Sequence, residues 1–211
     1  MRIVVIGATG TIGKEVVKVL VREHEIVRVG RTSGDFQVDI ASKASIEELF
    51  PRLGSFDAVI CTAGEARAGR LGDLTDEDFM VGLTNKLMGQ VNVVRVGREY
   101  INKNGSFTLT SGVLSQEPLP GMAAISMVNA AIEGFAHAAA LDLERGIRIN
   151  AVSPVWATET LAALGLDATP KMSAAQFVPA YQESVESGRT GEVLDVRDFV
   201  TEPLASERSS Y

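Results

Sequence analysis

The chain opens on a short apolar run, Ile3-Val4-Val5-Ile6, closed by Gly7. A run so rich in β-branched residues predicts a strand buried on both faces. Behind it Ile12, Val16, Val17, Leu20 and Val21 recur at helical spacing and give way to Arg22-Glu23-His24, which predicts an amphipathic helix. Glu25 to Gly30 then reads as strand, Ser42 to Leu53 as helix with Ser42 as its N-cap, and Asp57 to Cys61 as strand. Phe79, Leu83, Leu87, Val91 and Val94 form one stripe, so Thr75 to Lys103 is expected to be a single helix, stopped by Asn104-Gly105 before a strand from Ser106 to Thr110. Met122 to Arg145 is apolar on nearly every side, the pattern of a helix covered by the sheet or by a partner chain. Gly146 ends it, Ile147 to Val152 reads as strand, Pro154 opens a loop, Ser173 to Ser187 reads as helix and Glu192 to Val196 as a last strand. Strands alternating with helices predict an α/β fold over residues 1–211 as one domain, with a doubly wound parallel sheet and helices on both faces.

Composition narrows the partners. The 211 residues carry 27 acidic and 20 basic side chains, a net charge of −7, with 45% hydrophobic residues. That supports one sizeable core, and without a Lys/Arg run it offers no surface for a phosphate backbone, so nucleic acid is not an expected partner. Apolar runs fall short of the ~20 residues that cross a bilayer, and no signal-peptide pattern precedes the first strand. No membrane partner and a cytoplasmic location are therefore expected. One cysteine, Cys61, and two histidines, His24 and His137, exclude an internal disulfide and leave no expected metal site.

The turn between the first strand and the first helix carries the strongest chemical signal. Gly7, Thr9, Gly10, Thr11, Ile12 and Gly13 lie where backbone N–H groups at the positive end of a helix would meet a pyrophosphate. Glycines there serve the tight turn, the close approach to phosphate and the helix–strand packing. The end of the second strand selects among dinucleotides. An NAD site places an acid there for the ribose 2′-hydroxyl, whereas this chain reads Gly30-Arg31-Thr32-Ser33. Arg31 can form a charge-assisted fork with a 2′-phosphate, and Thr32 and Ser33 can donate to its remaining oxygens. NADP(H) is the cofactor this favours.

The turn Gly7 to Gly13, Asp39-Ile40, Cys61-Thr62-Ala63-Gly64 and the segment Gly146-Ile147-Arg148-Ile149-Asn150-Ala151-Val152-Ser153-Pro154 together resemble the short-chain dehydrogenase/reductase family, over residues 1 to about 196. The resemblance implies a Rossmann-type domain and hydride transfer between a nicotinamide dinucleotide and a small carbonyl or alcohol substrate. It also implies that Asp39 and Ile40 contact the adenine, that Ala63 and Gly64 line the ribose, and that the Pro154 loop covers the nicotinamide. Trp156 and Phe177 fall in the stretch the family uses for substrate specificity.

The catalytic positions depart from the family. Its Tyr-x-x-x-Lys pair falls on Ile125 and Asn129, and its Ser on Gly112 with Ser111 adjacent. The family's Asn, three positions before a Gly, falls on Lys86 before Gly89. Asn and Lys have exchanged columns, so Lys86, Ser111 and Asn129 are the candidate catalytic group, with Ser111 passing a proton and Asn129 holding Lys86 or a water. In the alternative, Lys86 is a solvated helix residue and Asn129 bridges two helices. Three functions stay open at this point: an NADP(H)-dependent oxidoreductase, a non-catalytic NADP(H)-binding sensor or partner protein disabled by Ile125, and an isomerase or dehydratase on the same fold. A homodimer through the two long helices is the expected assembly.

Overall fold

A computed structural model describes residues 1–164 and 172–200. Seven parallel strands form one sheet in the order β3-β2-β1-β4-β5-β6-β7. They are β1 Arg2–Ile6, β2 Glu25–Gly30, β3 Phe36–Gln37, β4 Phe56–Cys61, β5 Ile101–Thr110, β6 Arg148–Ser153 and β7 Val193–Asp195. Register follows the apolar runs: Val4 pairs with Val27 and Val59, and Ile6 with Val29 and Cys61. With Ile3 to Ile6 fully covered, β1 is buried on both faces as its β-branched run predicts.

One face of the sheet is covered by α2 (Lys43–Leu53), α4 (Met88–Gly97) and α5 (Ala123–Asp142), which join Val4, Ile6, Phe107 and Ile149 in one apolar cluster. The other is covered by α1 (Thr11–Leu20) and α7 (Val178–Glu186), around Ile3, Val5, Val152 and Tyr181. Between α2 and α4 lies the short α3 (Asp76–Val81), and α6 (Thr158–Leu164) follows β6. Ser42 caps α2 as expected, its side chain accepting the Ser45 amide.

The predicted single helix from Thr75 to Lys103 is corrected in two ways. It is interrupted by a π-helical segment, Gly82–Leu87, and it ends at Gly97. Ile101 leaves the helical stripe for the sheet, where it pairs with Phe56 and is buried, and the register then jumps to Ala58 opposite Ser106. Four residues of β5 bulge out, with Asn104 in the left-handed region at φ 61° and its amide bonded to the Arg145 carbonyl. An Asn tolerates that conformation, so Asn104-Gly105 marks a bulge within a strand and not a helix stop. The segment from Ser173 is likewise divided, into a 3₁₀ turn at Ala174–Phe177 and α7.

Two features of the structure stand beside the composition-based expectations of no membrane partner and no metal site. No uninterrupted apolar run is long, yet α5 is long and apolar enough to span a bilayer by length and composition. Packing on the sheet accounts for one face of it, where Ala124, Val128, Ile132 and Ala136 are buried, and Met127 and Leu141 lie exposed outside that face. Glu23, His24 and Glu186 bring their ligand atoms within 4.8 Å of one another, a His–carboxylate group at the ends of α1 and α7 that sequence separation conceals. His24 Nε2 lies 3.0 Å from Glu186. His137 sits on the surface, with Nδ1 2.7 Å from the Gly191 carbonyl.

Candidate active site

Two adjoining cavities lie along the carboxyl ends of β1, β2, β4, β5 and β6, and Thr62, Ala63 and Gly64 line both. That is the edge at which open α/β sheets bind ligands. The cavity near β2 measures about 320 Å³, and Gly7, Thr9, Gly10, Arg31, Asp39 and Ile40 of the predicted set line it. Its floor is the β1–α1 turn. Gly7 and Ala8 donate their amides to the Val29 carbonyl (2.8 and 3.2 Å), and the helical ladder begins only at the Lys14 amide on Gly10 (3.0 Å). No side chain caps α1 and no acid stands in its first turn, so the amides of Thr11, Ile12 and Gly13 precede the first ladder bond at the positive end of the helix. Gly13 packs so closely that a Cβ there would lie 2.1 Å from the Gly7 oxygen. This cradle fits a pyrophosphate.

At the end of β2, Arg31, Thr32 and Ser33 are exposed, and Arg31 borders the cavity while Thr32 and Ser33 stand outside its lining. The nearest acid in sequence, Asp35, is taken by Arg28: Nη2 approaches Oδ1 at 2.7 Å, and the Arg28 backbone amide donates to Oδ2 at 2.9 Å. These hydrogen bonds hold the Asp35 carboxyl below the usual carboxylate range. Asp39 turns its carboxylate back onto the Ala41 amide (3.0 Å). Asn85 and Glu65, absent from the sequence expectation, also line this cavity and are joined through Asn85 Oδ1 and the Glu65 amide at 2.8 Å.

The second cavity, about 260 Å³, contains Ile12, Lys86, Ser111, Ile125, Asn129, Pro154 and Trp156 in its wall. Lys86 comes from the π segment, a geometry frequent at functional sites because it rotates neighbouring side chains out of α-helical register. Lys86 Nζ donates to Asn129 Oδ1 at 2.6 Å and to the Ser111 carbonyl at 2.9 Å. Asn85 points instead to Glu65, so the predicted exchange of columns brings Lys86, and not its neighbour, to Asn129. Asn129 is fixed from its other end, its Nδ2 donating to the Gly112 carbonyl at 3.2 Å. A Cβ on Gly64 would stand 2.5 Å from Lys86 Cγ, so only glycine lets the β4 loop close over the lysine stem.

The Ser111 hydroxyl is directed elsewhere. Oγ donates to Glu133 Oε1 (2.9 Å), and Ser115 Oγ donates to the same oxygen (2.7 Å). Ser111 thus offers Lys86 its carbonyl and turns its hydroxyl away, which is not the arrangement a proton relay through that hydroxyl requires. Burial of the ammonium pushes Lys86 down to about 8, against an opposing pull from Glu133.

Three further residues shape the site. Gln90 is fully buried and grips Thr110 at both ends, Nε2 on its carbonyl (2.9 Å) and Oε1 on its amide (2.8 Å), which fixes the end of β5 just before Ser111. Thr110 Oγ1 bonds the Cys61 carbonyl (2.8 Å) and Tyr181 OH (2.9 Å). Cys61 is buried, and desolvation pushes its thiol up to about 12, the behaviour of a small core residue. In sequence Glu133 interrupts the apolar middle of α5, well before Asp142 at its end. Gln90 carried no such signal. Of the two aromatic residues in the specificity stretch, Trp156 lines the pocket and Phe177 is buried in the core around α7.

This geometry agrees with comparisons to known proteins. A family model described as enoyl-(acyl carrier protein) reductase matches residues 2–211. The chain is 38% identical to the protein lin1944 from Listeria innocua, whose crystal structure it matches with a TM-score of 0.90 over 93% of this chain and 99% of that one. It is 32% identical to a small-chain dehydrogenase crystallised in complex with NADPH, at a TM-score of 0.83 over 92% and 95% of the two chains. It is also 30% identical over 134 residues to hydroxynaphthalene reductase arp2 of Aspergillus fumigatus, 61% of this chain and 49% of that protein. The matched region spans about half the length of such curated relatives. With a seven-stranded parallel sheet, a glycine cradle at β1–α1 and a family match over nearly its whole length, the chain belongs to the short-chain dehydrogenase/reductase family.

Proposed function

We propose that the protein is an NADP(H)-dependent oxidoreductase for a small, uncharged carbonyl compound or the corresponding alcohol, with Lys86 as the proton donor in the reducing direction. The observation that carries this reading is the Lys86 ammonium, held by Asn129 and the Ser111 carbonyl in the wall of the second cavity.

NADP(H) would be held by the uncapped start of α1, by Arg31 for the 2′-phosphate, by Asp39 and Ile40 at the adenine, by Ala63 and Gly64 at the ribose, and by the Pro154 loop over the nicotinamide. The neighbour crystallised with NADPH supports this choice. When bound, the reduced nicotinamide supplies the hydride, and the rest of the chemistry belongs to the chain. An ammonium has three donors. Two of those on Lys86 are directed to neutral acceptors, which leaves one for the carbonyl oxygen as it gains charge. Donation to an oxygen developing as alkoxide stabilises the transition state more than the ground state, and a donor poised near the working pH transfers its proton efficiently. Ile125, Leu114, Val155 and Trp156 give the pocket apolar walls, which exclude water and suit an uncharged substrate body.

The sign of the pH dependence follows from Lys86. Protonated below about 8 and neutral above it, the group donates only on the acid side, so the rate of carbonyl reduction is expected to fall tenfold per pH unit above that point. A pH–rate profile for NADPH consumption checks this. A rate independent of pH from 7 to 10 would assign protonation to water instead. Ile125, which gives the pocket a methyl-bearing wall and no acidic group, favours a second reading: an NADP(H)-binding protein without turnover.

The same reading includes assembly. Met80 and Met88 on one side and Met127 and Leu141 on α5 are exposed, an apolar surface on the elements from α3 to α5 that a second copy would cover. Light scattering at micromolar concentration is expected to give a dimer mass or a multiple of it, and a monomer mass contradicts the expectation.

A further inference from the structure

Glu133 is the one buried acid among the described residues. It lies on α5 one helical turn beyond Asn129, so both side chains face the end of β5. A single oxygen, Oε1, accepts the hydroxyls of Ser111 and Ser115. Ser111 is thereby held at both ends: its hydroxyl by Glu133 and its carbonyl by the Lys86 ammonium. Asn129 closes the circuit by accepting from Lys86 through Oδ1. A carboxylate fixed by two hydroxyl donors, with an ammonium across one intervening residue, is an arrangement of opposite charges in a desolvated place, where their interaction is strong.

We propose that Glu133 is a positioning residue for the proton donor: it faces Lys86 across Ser111 and favours the ammonium form, and its bonds to Ser111 and Ser115 hold the carbonyl on which Lys86 is oriented. This inference rests on Lys86 acting as the donor. Other groups around Lys86 do not compete for the role. From the end of β5 it meets the Ser111 carbonyl, which carries no charge; from α5, Asn129 and the charge of Glu133; from the loop after β4, Gly64, which has no side chain. Glu65, at the rim of the neighbouring cavity, is paired with Arg67 at 3.2 Å. The direction agrees with burial and Glu133 acting oppositely on Lys86.

The test compares wild type with Glu133→Gln, which keeps the shape and two-hydroxyl acceptor but removes the charge, and with Glu133→Asp, which keeps the charge. Two curves are recorded for each. One is the pH dependence of Lys86 acetylation by acetic anhydride, read by mass spectrometry on its peptide. The other is the pH dependence of NADPH-linked reduction. In Glu133→Gln the acetylation curve is expected to move about one pH unit to the acid side, with a several-fold loss of rate at neutral pH, and Glu133→Asp returns it toward wild type. An acetylation curve unmoved in Glu133→Gln overturns the proposal. A curve that moves while the rate profile stays in place upholds the role of Glu133 and refutes Lys86 as donor, so the two failures are separable. Should Glu133→Gln not fold, Glu133→Ala, with room for water beside the serines, carries the same expectation for the acetylation curve.

Discussion

Lys86→Met will reduce turnover by about 10²- to 10⁴-fold, the range associated with loss of a general acid, while NADPH affinity stays within a few-fold of wild type. Methionine keeps the unbranched stem under Gly64, where the backbone leaves no room for a Cβ, and removes the ammonium that bonds Asn129 and the Ser111 carbonyl. The fold should persist at a cost in stability, because the lysine bonds one neutral side chain and one backbone carbonyl outside the sheet ladder, while its loss leaves the buried Glu133 without the facing ammonium. Steady-state kinetics, cofactor titration and thermal unfolding on the same preparation separate the three effects. Unchanged turnover would move the proton source to water. A parallel loss of NADPH binding would make Lys86 a cofactor residue instead.

Arg31→Asp will reverse the preference between NADPH and NADH. A guanidinium facing a 2′-phosphate makes a charge-assisted contact of about 1.5–3 kcal/mol, so its loss should weaken NADPH by about 10- to 100-fold. The introduced carboxylate can accept from a ribose 2′-hydroxyl and repels a phosphate, which adds to the reversal. Asp35 cannot already be serving that purpose, since Arg28 engages both of its oxygens. Fluorescence titration with both cofactors checks the result, and equal affinities in the wild type would contradict it.

The parts of this architecture written in local pattern were legible in the sequence. β1, β2 and β4 are short β-branched runs whose periodicity leaves little choice, and the Gly7 to Gly13 turn has its meaning fixed by the strand before it and the helix after it. The meeting of Lys86 with Asn129 was legible through the exchanged columns, because facing positions on two neighbouring helices are set by the fold. The π segment was not: Leu83, Leu87 and Val91 keep helical spacing whether or not one extra residue is accommodated, and it is that segment which separates Asn85 from Lys86. Ile101 was misplaced because an apolar residue in phase with a helix can also be drawn into a sheet, where Phe56 gives it a partner. The role of Ser111 changed for a similar reason. Sequence names the hydroxyl but not its direction, and Glu133, arriving from α5, decides that.

The most direct test of the central claim follows the hydride. The protein is incubated with NADPH deuterated at the transferring carbon of the nicotinamide and with a panel of uncharged aldehydes and ketones, and the products are examined by mass spectrometry. The account predicts an alcohol product carrying a single deuterium on the former carbonyl carbon, formed by wild type and lost in Lys86→Met. Tight NADPH binding with no labelled product from any member of the panel would contradict it and leave the chain a dinucleotide-binding protein without turnover.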